Sequence, residues 1–199
     1  MDINSFFVLK TNKIKECEKL INHNDNKEII RVEYKNTIRN NLKKYKYTSI
    51  LYKNIEIKEY CEAELIKIAD DKVLVFAETE ILLKKIQKDL EKLLDSNVDI
   101  ENINIEAIIK ENNNIKINKY LIKEKDTYFL DAKFVNNYDK IKEKTIGLQM
   151  LLEIKNKIIS VIILNKNKVK FNYGLYEDEV VDMCKEMKLI AWNTRTNFL

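Results

Sequence analysis

A chain of 199 residues with 45% apolar and 34% charged side chains suffices for one large domain or two small ones with a sizeable core. Two glycines, Gly147 and Gly174, and no proline exclude the P-loop, the dinucleotide fingerprint, the glycine-rich kinase loop and the nucleophile elbow. Each needs glycine where backbone meets phosphate or turns sharply. The net charge of +4 comes from lysines interleaved with Glu and Asp; the only arginines are Arg31, Arg39 and Arg195.

In chain order, residues 5–9 read as a strand. Asn12 can cap a helix over 13–22, with Ile14, Cys17, Leu20 and Ile21 on one face. Residues 28–34 read as a strand and 37–45 as a short basic helix. Residues 48–52 and 55–60 read as paired strands across Lys53-Asn54, and 62–69 fit strand or helix alike. Residues 72–77 are a strand, followed by the best helix of the chain over 79–95. Thr79 is its cap, Glu80 sits in its first turn, and Leu82, Leu83, Ile86, Leu90, Leu93 and Leu94 recur at three- and four-residue spacing.

Residues 100–109 then alternate as a strand, and Glu111-Asn112-Asn113-Asn114 is the expected boundary. Beyond it, 115–122 and 127–134 form an expected hairpin. Helical periodicity is read over 140–156, weakened by Gly147 at its centre. A second hairpin pairs 158–164 with 169–173. A closing helix spans 177–188, with an acidic first turn and a lysine-bearing last one. A last strand or tail, with Trp192, covers 189–199. The expectation is therefore an α+β (mixed α/β) fold in two small lobes, an N-terminal α/β lobe over 1–110 and a C-terminal β-β-α-β-β-α lobe over 115–199, which can pack as one unit.

No apolar run reaches the roughly 20 residues that span a bilayer. Residues 1–10 carry Asp2 and lack a basic flank and a long apolar region, so no signal peptide is expected. A cytoplasmic protein follows. Cys17, Cys61 and Cys184 are odd in number and far apart, and His23 is the only histidine. No zinc spacing results, and the cysteines read as buried hydrophobes.

The run Tyr128-Phe129-Leu130-Asp131-Ala132-Lys133-Phe134 places an acid and a lysine one residue apart in an apolar stretch. On a strand they point to the same side. With the hairpin before it and a helix bearing Gln149 after it, this order resembles the core of the PD-(D/E)xK nuclease superfamily. The resemblance covers 115–164. It implies metal-assisted phosphodiester hydrolysis, with Asp131 as Mg²⁺ ligand, Lys133 positioning the attacking water and Gln149 in the helix-glutamine role. The pattern departs from the family at the upstream acid, where Asn118 stands. Without that resemblance, Asp131 and Lys133 are a solvated pair and no cofactor is implied.

A second candidate interleaves basic and aromatic residues. Tyr45 and Tyr47, beside Lys43 and Lys44, could stack and neutralise single-stranded nucleic acid, with Arg31 and Arg39 extending a basic patch. The same tyrosines also suit half-buried strand positions. Three functions stay open: a non-catalytic binding or adaptor protein acting on a nucleic-acid or protein partner, which is favoured; a Mg-dependent nuclease or degenerate relative; and an assembly subunit forming homo-oligomers. No membrane partner is expected.

Overall fold

The computed structural model describes residues 5–11, 14–23, 25–38, 42–110, 115–172 and 174–189. Two compact units emerge, Ser5–Glu101 and a second that starts at Asn102. The expected boundary at 111–114 lies outside the described residues, as does the expected tail from residue 190 on.

The first unit runs β1 (Ser5–Thr11), β2 (Cys17–His23), β3 (Asn26–Thr37), β4 (Lys43–Lys53), β5 (Glu56–Lys67), β6 (Lys72–Phe76), α1 (Glu80–Leu94) and β7 (Val98–Ile100). Its strands lie in the order β2-β3-β4-β5-β6-β1, with β7 also on β1, and every pairing is antiparallel. Alternation decides which face is buried. Val32, Tyr47 and Ala63 stand opposite one another, as do Ile30, Ser49 and Cys61, and all six turn inward. Helix α1 covers this face with Leu83, Ile86 and Leu90 in a core shared with Phe7, Leu9, Tyr45, Leu65 and Val75. Each such side chain contributes roughly 1.5–3 kcal/mol through burial. Thr79 caps α1, its Oγ1 accepting from the Leu82 amide at 3.2 Å. The β4–β5 hairpin closes on Asn54 and Ile55, both at positive φ. That is the left-handed pair a tight hairpin needs, built here without glycine.

The second unit runs α2 (Ile105–Lys110), β8 (Ile115–Lys123), β9 (Thr127–Asp131), β10 (Thr145–Ile154), β11 (Lys157–Leu164), β12 (Lys168–Phe171) and α3 (Glu177–Glu186). Its strand order is β12-β11-β10-β8-β9. Helix α3 packs against β10, and Leu148, Met150, Val161, Val180, Val181 and Cys184 are among the residues of this unit that are fully buried. Glu179 is buried beside them. Its carboxylate accepts from Lys157 Nζ at 2.6 Å and from the Tyr176 amide at 2.9 Å, and the lysine contact holds its carboxyl below the usual range.

The expected α+β class is corrected. Strand takes 53% of the described residues and helix 21%, so the fold is nearly all-β. The C-terminal order fails at 140–156, where Thr145–Ile154 form β10 in place of a helix. Leu148, Met150, Leu152 and Ile154 are buried at every second position, a strand period that the intervening Leu151 had blurred. Residues 17–23 form β2 through seven paired positions with β3, although their spacing suits a helix. Residues 43–45 open β4. Residues 100–109 split between the end of β7 and α2, where Ile105 and Ile108 share a buried helical face. In β2, β4 and β10 partners across the sheet override local propensity.

Candidate functional site

Strand β9 ends at Asp131, and Ala132–Phe134 form a single 3-10 turn capped by the Asp131 side chain. Asp131 and Lys133 are therefore not alternate residues of one strand, as the sequence suggests. Their side chains meet at 3.7 Å, both well exposed, and Lys133 Nζ also lies 4.9 Å from the centre of the Phe134 ring. Gln149 sits on β10, a strand where the resemblance wants a helix. Register nevertheless draws it towards Asp131. Lys119 stands directly opposite Asp131 on one side and Gln149 on the other. The three form a row across β9, β8 and β10, with Asp131 and Gln149 roughly 10 Å apart across two strand spacings. The neighbour opposite Asp131 is thus a lysine. Among the described residues, no group of three or more His, Cys, Asp or Glu is placed to hold a metal ion.

The basic and aromatic candidates separate. Tyr45 and Tyr47 are buried in the first core, at 4% and 0% exposure, so neither offers a ring for stacking. Strand alternation sends them under α1 and leaves Lys44 and Lys46 on the opposite face. Lys44 pairs with Glu64 at 2.7 Å and Lys46 with Glu62 at 2.6 Å. Arg31 is bound to Glu18 and lies 3.6 Å from Glu33. The contact with Glu62 raises the Lys46 ammonium, and the same contact lowers the Glu62 carboxyl. Lys43 is exposed at the start of β4. Arg39 lies outside the described residues. Of the six residues expected to bind nucleic acid, the structure aligns Arg31 and Lys44 on one face, each matched by carboxylates.

Behind that face lies a polar cluster with no counterpart in the sequence reading. Asp89, on the sheet side of α1, is 2% exposed. It accepts from the Tyr47 hydroxyl at 2.5 Å and lies 3.3 Å from Lys92 Nζ and 3.6 Å from Lys85 Nζ. Glu28 joins both lysines and Glu59 joins Lys85. Burial, and then the bond to Asp89, push the Tyr47 phenol far up. For Lys85 and Lys92 burial pulls the ammonium down, but the surrounding carboxylates outweigh it and the net shift is upward.

All three groups hold their protons more tightly when folded than the unfolded values of 10.0 for Tyr and 10.5 for Lys. Their stabilisation is complete below about pH 10 and is lost as pH rises through the folded values. Because burial also raises the Cys17, Cys61 and Cys184 thiols above 9.0, urea midpoints should begin to fall at about pH 9 and fall further above about 10. Tyr47→Phe, which removes one of the three titrations, should flatten that fall.

The outer face of the first sheet carries a different pattern. Glu18, Arg31, Thr48 and Glu62 make one row across β2–β5, and Glu33, Lys46 and Glu64 the next. These rows form an ion-paired ladder. Two residues along the strands, Leu20, Ile29, Ile50 and Tyr60 form a row that is apolar throughout. It spans about 15 Å at ordinary strand spacing. Leu20 is 50% and Tyr60 54% exposed. Tyr52 and Ile57 extend it by another row beyond a bulge, and Lys27 stands exposed beside Tyr52 at its margin.

Sequence alternation could not find this face. Ile29 and Ile30 are adjacent, and only the register with Ile50 and Ser49 settles which of them points outward. No family model matches the chain, and neither the curated proteins nor the solved structures contain a similar one.

Proposed function

We propose that this chain is a non-catalytic binding protein of the cytoplasm, and that its partner is another protein seated on the outer face of β2–β5. The apolar row Leu20–Ile29–Ile50–Tyr60 carries this reading. The solvated face of an antiparallel sheet is ordinarily polar. A contiguous apolar strip on such a face, rimmed by charge, is the pattern of an interaction surface. Tyr60 and Ile57 supply large side chains of the kind that anchor interfaces. Lys27 at the margin favours a partner segment with an acidic residue beside its apolar ones. A protein partner is preferred over nucleic acid because Arg31, Lys44 and Lys46 are matched by Glu18, Glu64 and Glu62. The cytoplasmic placement is supported by three unpaired cysteines, two of them buried, which suit a reducing compartment.

The test is a photo-crosslinking amino acid at position 60 in the producing cells, with position 84, on the exposed side of α1, as control. The expected result is a discrete protein adduct from position 60, none from 84, and its loss on Leu20→Glu. An adduct that survives Leu20→Glu, or none at all, overturns the reading. A salt-dependent gel shift of labelled DNA or RNA would replace the protein partner with nucleic acid. Mg²⁺-dependent cleavage abolished by Asp131→Ala would replace binding with hydrolysis.

A further inference from the structure

We infer that β9 is a self-pairing edge through which two copies of this chain join their sheets about a two-fold axis. The inference is independent of the outer face of β2–β5. Strand β9 is the last in the order β12-β11-β10-β8-β9 and, among the described residues, is paired to β8 alone. Its other side therefore presents a row of amide and carbonyl groups, a ready template for a further strand. Its residues are Thr127-Tyr128-Phe129-Leu130-Asp131. Natural edges are commonly guarded by a charge or a proline near the middle of the strand; here the middle is aromatic. Tyr128 is 42% and Phe129 46% exposed.

The occupant that fits is the same strand run antiparallel. With Phe129 on the axis, it faces its own copy. Tyr128 then lies opposite Leu130 twice, and Thr127 opposite Asp131 twice. Every pair within the strand is either apolar or a hydroxyl against a carboxylate, and no like charges are opposed. Aromatic and aromatic–aliphatic cross-strand pairs are among those that stabilise sheets. Because side chains alternate, Thr127, Phe129 and Asp131 fall on one face. The interface is isologous and closes as a dimer.

The pairing is tested on the full chain by light scattering with size exclusion across a range of concentrations, together with directed disulfide formation. Phe129→Lys should weaken association by roughly tenfold or more while leaving the circular dichroism spectrum unchanged. Because position 129 meets itself on the axis, Phe129→Cys in a Cys17→Ser background should form an intermolecular disulfide under mild oxidation. Leu130→Cys, which faces Tyr128, should not. A chain that stays monomeric at every concentration overturns the inference. So does a dimer indifferent to Phe129→Lys, or one that Leu20→Glu dissolves in its place.

Discussion

Asp89→Ala is expected to cost about 3–5 kcal/mol of folding stability, the range for removing one partner of a buried charge network. Thr79 starts a helix whose apolar positions fall at Leu83, Ile86 and Leu90. Position 89 neighbours 86 and 90 on the same face, so its carboxylate is carried into the core, where a lone charge would be expensive. Three contacts make it tolerable: the Tyr47 hydroxyl at 2.5 Å, Lys92 at 3.3 Å and Lys85 at 3.6 Å. Alanine takes from the buried Tyr47 hydroxyl its carboxylate acceptor, leaving it with Ser49 and Cys61. It also leaves Lys85 and Lys92 with Glu28 and Glu59 alone.

Tyr47→Phe deletes only the donor and should cost about 1–2 kcal/mol, because Asp89 keeps both lysines. The double variant should be less destabilised than the two singles added together, by about 0.5–3 kcal/mol, because the hydroxyl that alanine deprives of its carboxylate is no longer there. Urea denaturation of the four proteins measures this. Additive losses would mean that Tyr47 and Asp89 do not act as a unit. The cluster also fixes how α1 lies. Apolar side chains tolerate sliding, whereas the 2.5 Å bond from β4 to α1 is satisfied at one register of helix on sheet.

The helix was legible because every level of the sequence agreed on it. A threonine cap, an acidic first turn and an unbroken three–four spacing all point to 79–95, and α1 spans Glu80–Leu94. Where levels disagreed, the sheet prevailed. Residues 17–23 have a helical apolar spacing, yet β3 offers them seven backbone pairs. Residues 145–154 alternate at Leu148, Met150, Leu152 and Ile154, but Leu151 falls on the other face and Ile146 sits in a bulge, and a period of two was hard to separate from one of 3.6. The Asp131 and Lys133 pair was visible as a pair. Its setting was not, because the strand stops at Asp131 and the residue opposite is fixed by register with β8. The apolar row of β2–β5 depends on four strands at once, and no window along a single strand contains it.

Gly147→Ala is the second large effect, expected at about 1–3 kcal/mol of lost stability from overpacking, with Gly147→Val costing more. Gly147 lies on β10 at a register shift against β8, between Thr145 and the regular pairing that follows. A Cβ built there would stand 2.1 Å from the Ile163 carbonyl oxygen and 3.1 Å from Leu121 Cδ2. The first contact is with backbone, so no rotamer change relieves it, and β10 and β11 must part locally. The pairs beside it, Leu148 with Ile163 and Gln149 with Ile162, would be disturbed first. Glycine is therefore kept here for close approach of two strands and not for an unusual φ. The same glycine that weakened the helical reading of 140–156 is what allows those residues to be the central strand of the second unit. Thermal unfolding of Gly147→Ala, with Gly174→Ala as a control at an exposed position, should show a clear drop for the first and little change for the second. An unchanged melting temperature for Gly147→Ala would contradict the close approach of β10 and β11.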